Sequence, residues 1–145
     1  MTRVAALQFA SGTDVEENLA TCLRVIDRAS EFEPQLMVMP EFCNHISWYD
    51  DAEHAWEVAV PRDGEFLRAI GARAARHQSY IVINVSLRGV DRITVSSMLF
   101  DPQGQLVSVA DKQTLMGHEN TWFARADTTS DVVATPFGRI AMFPC

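Results

Sequence analysis

The sequence predicts an α/β fold built on a mixed sheet. In the first half, short apolar runs alternate with amphipathic helical stretches, and strands joined through helices run parallel. In the second half, two apolar runs flank Asp101-Pro-Gln-Gly104, a turn signal that joins them as an antiparallel hairpin. The composition, 48% hydrophobic and 21% charged over 145 residues, describes one globular domain of ordinary size.

Each element follows from its own pattern. Val4 to Phe9 reads as a buried strand. Thr13-Asp-Val-Glu16 has the form of a capping box, with Thr13 as the cap. Behind it Val15, Leu19, Leu23 and Ile26 share one helical face, which predicts a helix from about residue 15 to 32. Leu36 to Met39 is the second strand. Cys43 to Arg62 lacks periodicity and is expected as a long loop with one helical turn; loops of that length are usually functional. Asp63-Gly-Glu-Phe opens a helix with Phe66, Leu67, Ile70 and Ala74 inward, ending near His77. Strands follow at Tyr80 to Leu87, Ile93 to Phe100 and Leu106 to Ala110. Val132 and Val133 are a short strand, Pro136-Phe-Gly138 a turn, and Ile140 to Phe143 the last strand. The apolar residues of Tyr80 to Leu87 and Val132 to Phe143 fall on both alternating faces, so neither face is expected to meet water.

Charge narrows the function classes. Twelve Lys and Arg against nineteen Asp and Glu give a formal charge of -7. A nucleic-acid partner needs a basic face, and adsorption to an anionic membrane needs one as well. No apolar run approaches the roughly 18 residues of a spanning helix. The N-terminus lacks a signal-peptide layout, because Gln8, Ser11 and Asp14 interrupt it. Three cysteines, Cys22, Cys43 and Cys145, without metal-like spacing fit free thiols in a reducing cytoplasm.

Three apolar runs each end in a reactive group. "LMVMPE" ends in Glu41, "LVSVADK" in Lys112 and "RIAMFPC" in Cys145. In open sheets with helical crossovers, ligands bind beyond the carboxyl ends of strands. Strand ends sharing one edge would bring a carboxylate, an ammonium and a thiol together. A neighbouring cation favours the thiolate, which is the nucleophilic form. Glu41 would take the thiol proton and later activate water, and Lys112 would stabilise charge developing on the substrate. The product of attack is an acyl-enzyme, which water hydrolyses.

These residues resemble the nitrilase, or carbon–nitrogen hydrolase, superfamily, in its amidase-like branch. "VAALQFASGTDVEENLATCLRVIDRA" looks like that family's opening strand and helix. "LMVMPEF", "DKQTLMGHE" and "FGRIAMFPC" match its three motifs in order, and the resemblance runs through the whole chain. It implies a Glu-Lys-Cys triad of Glu41, Lys112 and Cys145, with Glu119 in the place of a second glutamate that helps hold the lysine and substrate. Ala141 stands where the family commonly has Gly, and Pro144 where an aliphatic residue is usual. The implied fold is the N-terminal half of a four-layer α-β-β-α sandwich. Residues 1–145 are then a carbon–nitrogen hydrolase domain truncated at its nucleophile, expected to be inactive in isolation and a homo-oligomer at full length.

The implied activity is hydrolysis of a non-peptide amide or carbamoyl C–N bond of a small molecule, without cofactor, metal, nucleic-acid or membrane partner. Alternatives with the same residues are nitrile hydrolysis, acyl transfer or a glutaminase role; a truncated binding module is the non-enzymatic one. Trp48 and Trp122 are candidates to line the substrate pocket. His45, Asp50, Asp51, Glu53 and His54 match no metal-ligand spacing and read as a polar loop.

Overall fold

The computed structural model describes residues 1–145. The elements are β1 (Val4–Ala6), α1 (Val15–Ser30), β2 (Leu36–Val38), α2 (Ala52–Val58), β3 (Val60–Pro61), α3 (Glu65–His77), β4 (Tyr80–Arg88), β5 (Ile93–Phe100), β6 (Leu106–Asp111), α4 (Glu119–Trp122), β7 (Val133–Thr135) and β8 (Gly138–Ile140). The main sheet has the order β1-β2-β4-β5-β6, with β3 pairing to β4. The pairs β1–β2, β2–β4 and β3–β4 are parallel, whereas β4–β5 and β5–β6 are antiparallel. The fold is therefore α/β with a mixed sheet. Two antiparallel steps return β6 to the direction of β2, so the carboxyl ends of β2 and β6 lie at the same edge.

The two faces of the sheet are covered differently. Ile81, Ile83, Val85, Met98 and Phe100 pack under α1 and α3, against Cys22, Ile26, Leu67, Ile70 and Ala74. The alternate residues face the other way. There Val82 and Leu99 meet Met142, and Val95 and Ile93 meet Phe42, Tyr49, Leu115 and Phe123. Both faces of β4 and β5 thus carry apolar residues and are largely buried, as their patterning requires. The helices are tied to each other by Asp27, whose Oδ1 accepts from Arg73 Nε at 2.8 Å and from His77 Nε2 at 2.7 Å. Burial alone would raise the Asp27 carboxyl; the hydrogen bonds from His77 and Arg73 outweigh it and hold the group below its usual range.

Four details depart from the sequence reading. Asp14, not Thr13, caps α1: its side chain accepts from the Glu16 and Glu17 amides. A carboxylate placed beside two free N–H groups at a helix start is the better acceptor. The first strand is shorter than expected, although Leu7 still donates to the Val38 carbonyl at 2.8 Å. The Cys43–Arg62 stretch holds both α2, capped by Asp51, and the short β3. The last strand ends at Ile140 rather than Phe143 and pairs with β7 in a separate two-stranded sheet. Pro144 has no N–H for a ladder, and residues beyond Ile140 are held by packing, through Met142, instead of by pairing.

Helix α3 crosses the β5–β6 turn at two glycines. A Cβ on Gly71 would sit 2.7 Å from the Gly104 carbonyl oxygen, and one on Gly104, at φ 79°, would sit 2.6 Å from that of Gly71. Ala is normally better than Gly inside a helix by about 1 kcal/mol. Here the sign reverses. Gly71→Ala is expected to destabilise the protein by roughly 1–3 kcal/mol, the usual cost of overpacking, as read by equilibrium urea unfolding. A variant as stable as wild type would show that the turn yields freely.

Candidate active site

Glu41 is placed by the segment that leaves β2. The Met39 amide makes the last sheet bond, to the Val82 carbonyl at 2.9 Å. Pro40 then ends pairing, having no N–H. After Glu41, Phe42 takes φ 58°, a left-handed value that is uncommon and costly for a side chain of this bulk. Two bonds to one residue of β4 hold it there. The Phe42 amide donates to Asn84 Oδ1 at 3.0 Å, and the Cys43 amide donates to the Asn84 carbonyl at 2.8 Å. Next along, the buried Asn44 donates through Nδ2 to Ser86 Oγ and the Val58 carbonyl, and accepts the Ser86 amide. Asn18 of α1 donates to the Asn44 carbonyl at 2.9 Å. Helix, sheet and loop therefore converge on the residues just after Glu41.

Lys112 follows β6 directly and is fixed through its backbone, its amide donating to the Val95 carbonyl and its carbonyl accepting from Ala126. Its side chain is 1% exposed. The ammonium donates to Glu41 Oε1 at 2.9 Å and to Glu119 Oε1 at 2.9 Å. Burial works against its charge, but the hydrogen bonds to Glu119 and Glu41 and their negative charge prevail, so the Lys112 ammonium is held above the ordinary lysine range. Glu119 opens α4 and is itself buried; its Oε2 accepts the Met116 amide at 2.7 Å. Glu41 keeps about a third of its side chain exposed, and its face toward the cleft remains open.

Cys145 is the exposed cysteine, whereas Cys22 and Cys43 are buried. Burial pushes the Cys43 thiol well up, which the nearby Cys22 reinforces, so Cys43 is held as a thiol. Cys145 sits between two cavities. One, of about 390 Å³, is shared with Glu41 and is lined also by Asn84, Ser97, Val82 and Met142. The other, of about 460 Å³, carries Asp111, Gln113, Thr114 and Met116. The structure thus joins Glu41, Lys112 and Glu119 by direct contact and brings Cys145 into the cleft of Glu41. Cys145 reaches that place on an irregular segment and not at the end of a sheet strand.

The two tryptophans expected in the pocket stand elsewhere. Trp48 is 70% exposed and lies 6.1 Å, ring to ring, from His118. Trp122 packs edge-on against Tyr49 at 5.8 Å, within the apolar cluster under α4. Neither lines the cleft of Glu41 and Cys145. An indole half-covered by other aromatics gains more from that packing than from an open cleft. The acidic and histidine loop serves structure: Asp51 caps α2, and the buried His45 donates from Nδ1 to the Ile46 carbonyl and stacks on Tyr49. Burial pushes the Tyr49 hydroxyl up to about 12, with the charge of Glu119 adding to it.

Sequence reasoning missed Asn84, Asn44 and Asn18. A signal existed for the first, since asparagine is disfavoured inside strands and "YIVINVSLR" is otherwise apolar around it.

A family profile described as "Carbon-nitrogen hydrolase" matches residues 3–145. The deaminated glutathione amidase of Yersinia enterocolitica is 28% identical over 155 residues, covering 98% of this chain and 53% of that protein. The fold matches the NitFhit protein of C. elegans with a TM-score of 0.83 at 19% identity, over 99% of this chain and 38% of that one. It also matches Saccharomyces cerevisiae Nit3, a member of branch 10 of the nitrilase superfamily, with a TM-score of 0.80 at 22% identity, over 97% and 54% of the two chains. At such identities the structural likeness is one of fold. The chain spans about half the length of the relatives it matches. With the profile covering nearly every residue, this chain belongs to the carbon–nitrogen hydrolase family.

Proposed function

We propose that the protein carrying this chain is a thiol hydrolase of small amides or carbamoyl compounds. The observation behind the proposal is the buried Lys112 ammonium clasped by two carboxylates, one of which, Glu41, shares a cleft with Cys145. The similarity to a deaminated glutathione amidase favours an amide over a nitrile.

The chemistry follows from the charges. Glu41 takes the proton of the Cys145 thiol as sulfur bonds to the carbonyl carbon. Negative charge builds on the carbonyl oxygen, and the Lys112 ammonium lies where it can oppose that charge. The C–N bond breaks as Glu41 returns the proton to nitrogen, and ammonia or an amine leaves. Water then attacks the thioester, gives its proton to Glu41, and the thiol is restored with release of the acid. Glu119 gives Lys112 its second carboxylate and so keeps the ammonium charged and in place.

Two sets of variants of the full protein test this. Cys145→Ala is expected to abolish hydrolysis of short aliphatic amides while substrate still binds. Glu41→Gln keeps the shape but removes the base, so both acylation and deacylation should fall, by roughly 10²–10⁴-fold. A Cys145→Ala enzyme with near wild-type turnover would require a different nucleophile.

Lys112 makes a prediction in pH. Its folded-state value is raised above the ordinary 10.5. Stability from the clasp is therefore complete below 10.5 and is lost as pH rises through the higher folded value. Lys112→Met should abolish activity and cost roughly 3–5 kcal/mol at neutral pH, since Glu119 is left as an unpaired buried charge. It should also flatten the fall in stability as pH rises past 10.5. An alkaline limb unchanged in this variant would detach Lys112 from the effect.

A further inference from the structure

We infer that Asn84, with Ser97 behind it, is the positioning residue that aims Glu41 at Cys145. The inference rests on the function proposed above and adds to it a residue with no reacting group. Asn84 lies at the middle of β4, on the sheet face turned away from α1 and α3. On that face Val82 and Leu99 lie toward one end and Val95 and Ile93 toward the other, with Ser86, which is bonded to Asn44, next along the strand. Asn84 and Ser97 are directly paired across the two strands and form a polar step in this surface, at the floor of the cleft that Glu41 and Cys145 share.

The hydrogen bonds fix the direction of the amide. The Phe42 N–H can only donate, so the atom it meets at 3.0 Å is Oδ1. Nδ2 then points the other way and donates to Ser97 Oγ at 3.1 Å. Asn84 is 5% exposed and its carbonyl also receives the Cys43 amide, so three of its polar atoms are engaged and one residue holds both amides after Glu41. Phe42 needs such a hold because its φ of 58° is unfavourable for a bulky side chain. Without the acceptor at Oδ1, the Phe42 amide is buried and unpaired, and the backbone regains its ordinary conformation by turning. The residue that turns with it is Glu41. Lys112, backed by Glu119, faces Glu41 from beyond β6, and Cys145 shares its cleft from the C-terminal segment. A rotation at Phe42 thus moves the base relative to both.

The readout is the reactivity of Cys145 itself, which needs no assumption about substrate. In the full protein, the rate of alkylation of the Cys145 peptide by iodoacetamide is followed by mass spectrometry across pH. Glu41→Gln serves as the reference and should slow alkylation at neutral pH and move the profile upward. Asn84→Leu is expected to slow it at least tenfold and to move the profile the same way, with the thermal midpoint tracked separately. Asn84→Asp keeps the acceptor, and the Ser97 hydroxyl can turn to donate to it, so this variant should stay within about threefold of wild type. Ser97→Ala keeps the Phe42 bond but frees Nδ2, and an intermediate loss of about threefold is expected. This variant also carries the test should Asn84→Leu not fold. If Glu41→Gln leaves the profile unchanged, the base assignment fails and the inference falls with it. If Glu41→Gln shifts the profile but Asn84→Leu and Ser97→Ala do not, only the positioning role is overturned. Equal losses in Asn84→Asp and Asn84→Leu would likewise overturn it, because the acceptor would then not be what matters.

Discussion

The ammonium of Lys112, out of water and between two carboxylates, is the constraint on which the site depends. An isolated charge at 1% exposure would cost several kcal/mol in lost hydration. Two hydrogen bonds of 2.9 Å offset that cost only if Glu41 and Glu119 are both delivered to it. Much of the surrounding structure serves that delivery. β6 brings the lysine, α4 brings Glu119, and the strained exit from β2 brings Glu41. The group carries one positive and two negative charges. Of the two carboxylates only Glu41 keeps an open face, whereas Glu119 is buried.

The sheet supplies the precision. Parallel β1, β2 and β4 place the exit of β2 beside the middle of β4, and two antiparallel steps bring β6 back in the same direction. The result is that a carboxylate and an ammonium from distant parts of the chain leave the same edge. The helical side of the sheet is closely packed around a large apolar cluster, so it gives a rigid base. The opposite side carries polar residues that hold the loop after Glu41: Asn84 with Ser97, then Ser86 with Asn44.

The strands and helices were legible because their patterns are local. β5 begins and ends where its apolar run does, and the inward residues of α3 are those that its periodicity marks. Glu41 and Lys112 were legible because a charge closes an apolar run in each case. The remainder was not. The shift of the α1 cap from Thr13 to Asp14 turns on one residue of backbone geometry. The early end of the last strand turns on which partner its edge can reach. Trp48 and Trp122 look alike in sequence, yet one lies in solvent and one in an aromatic cluster. The bonds from Asn84 to Phe42 and Cys43 cross about forty positions, and no local pattern encodes such a register.

Distance along the chain also orders events in time. Glu41 and Lys112 are 71 residues apart, yet they meet at 2.9 Å. A growing chain emerges N-terminus first, at about 5–20 residues per second. For several seconds Glu41 therefore exists without its cation, and throughout that interval its carboxylate must remain hydrated. The helix-and-strand unit before it can form from near neighbours, but the site cannot. Contacts of such long separation close late, after the loop entropy between them has been spent. This nascent chain thus carries its scaffold before its charged cluster, which is sealed only when the segment that bears Lys112 joins the sheet.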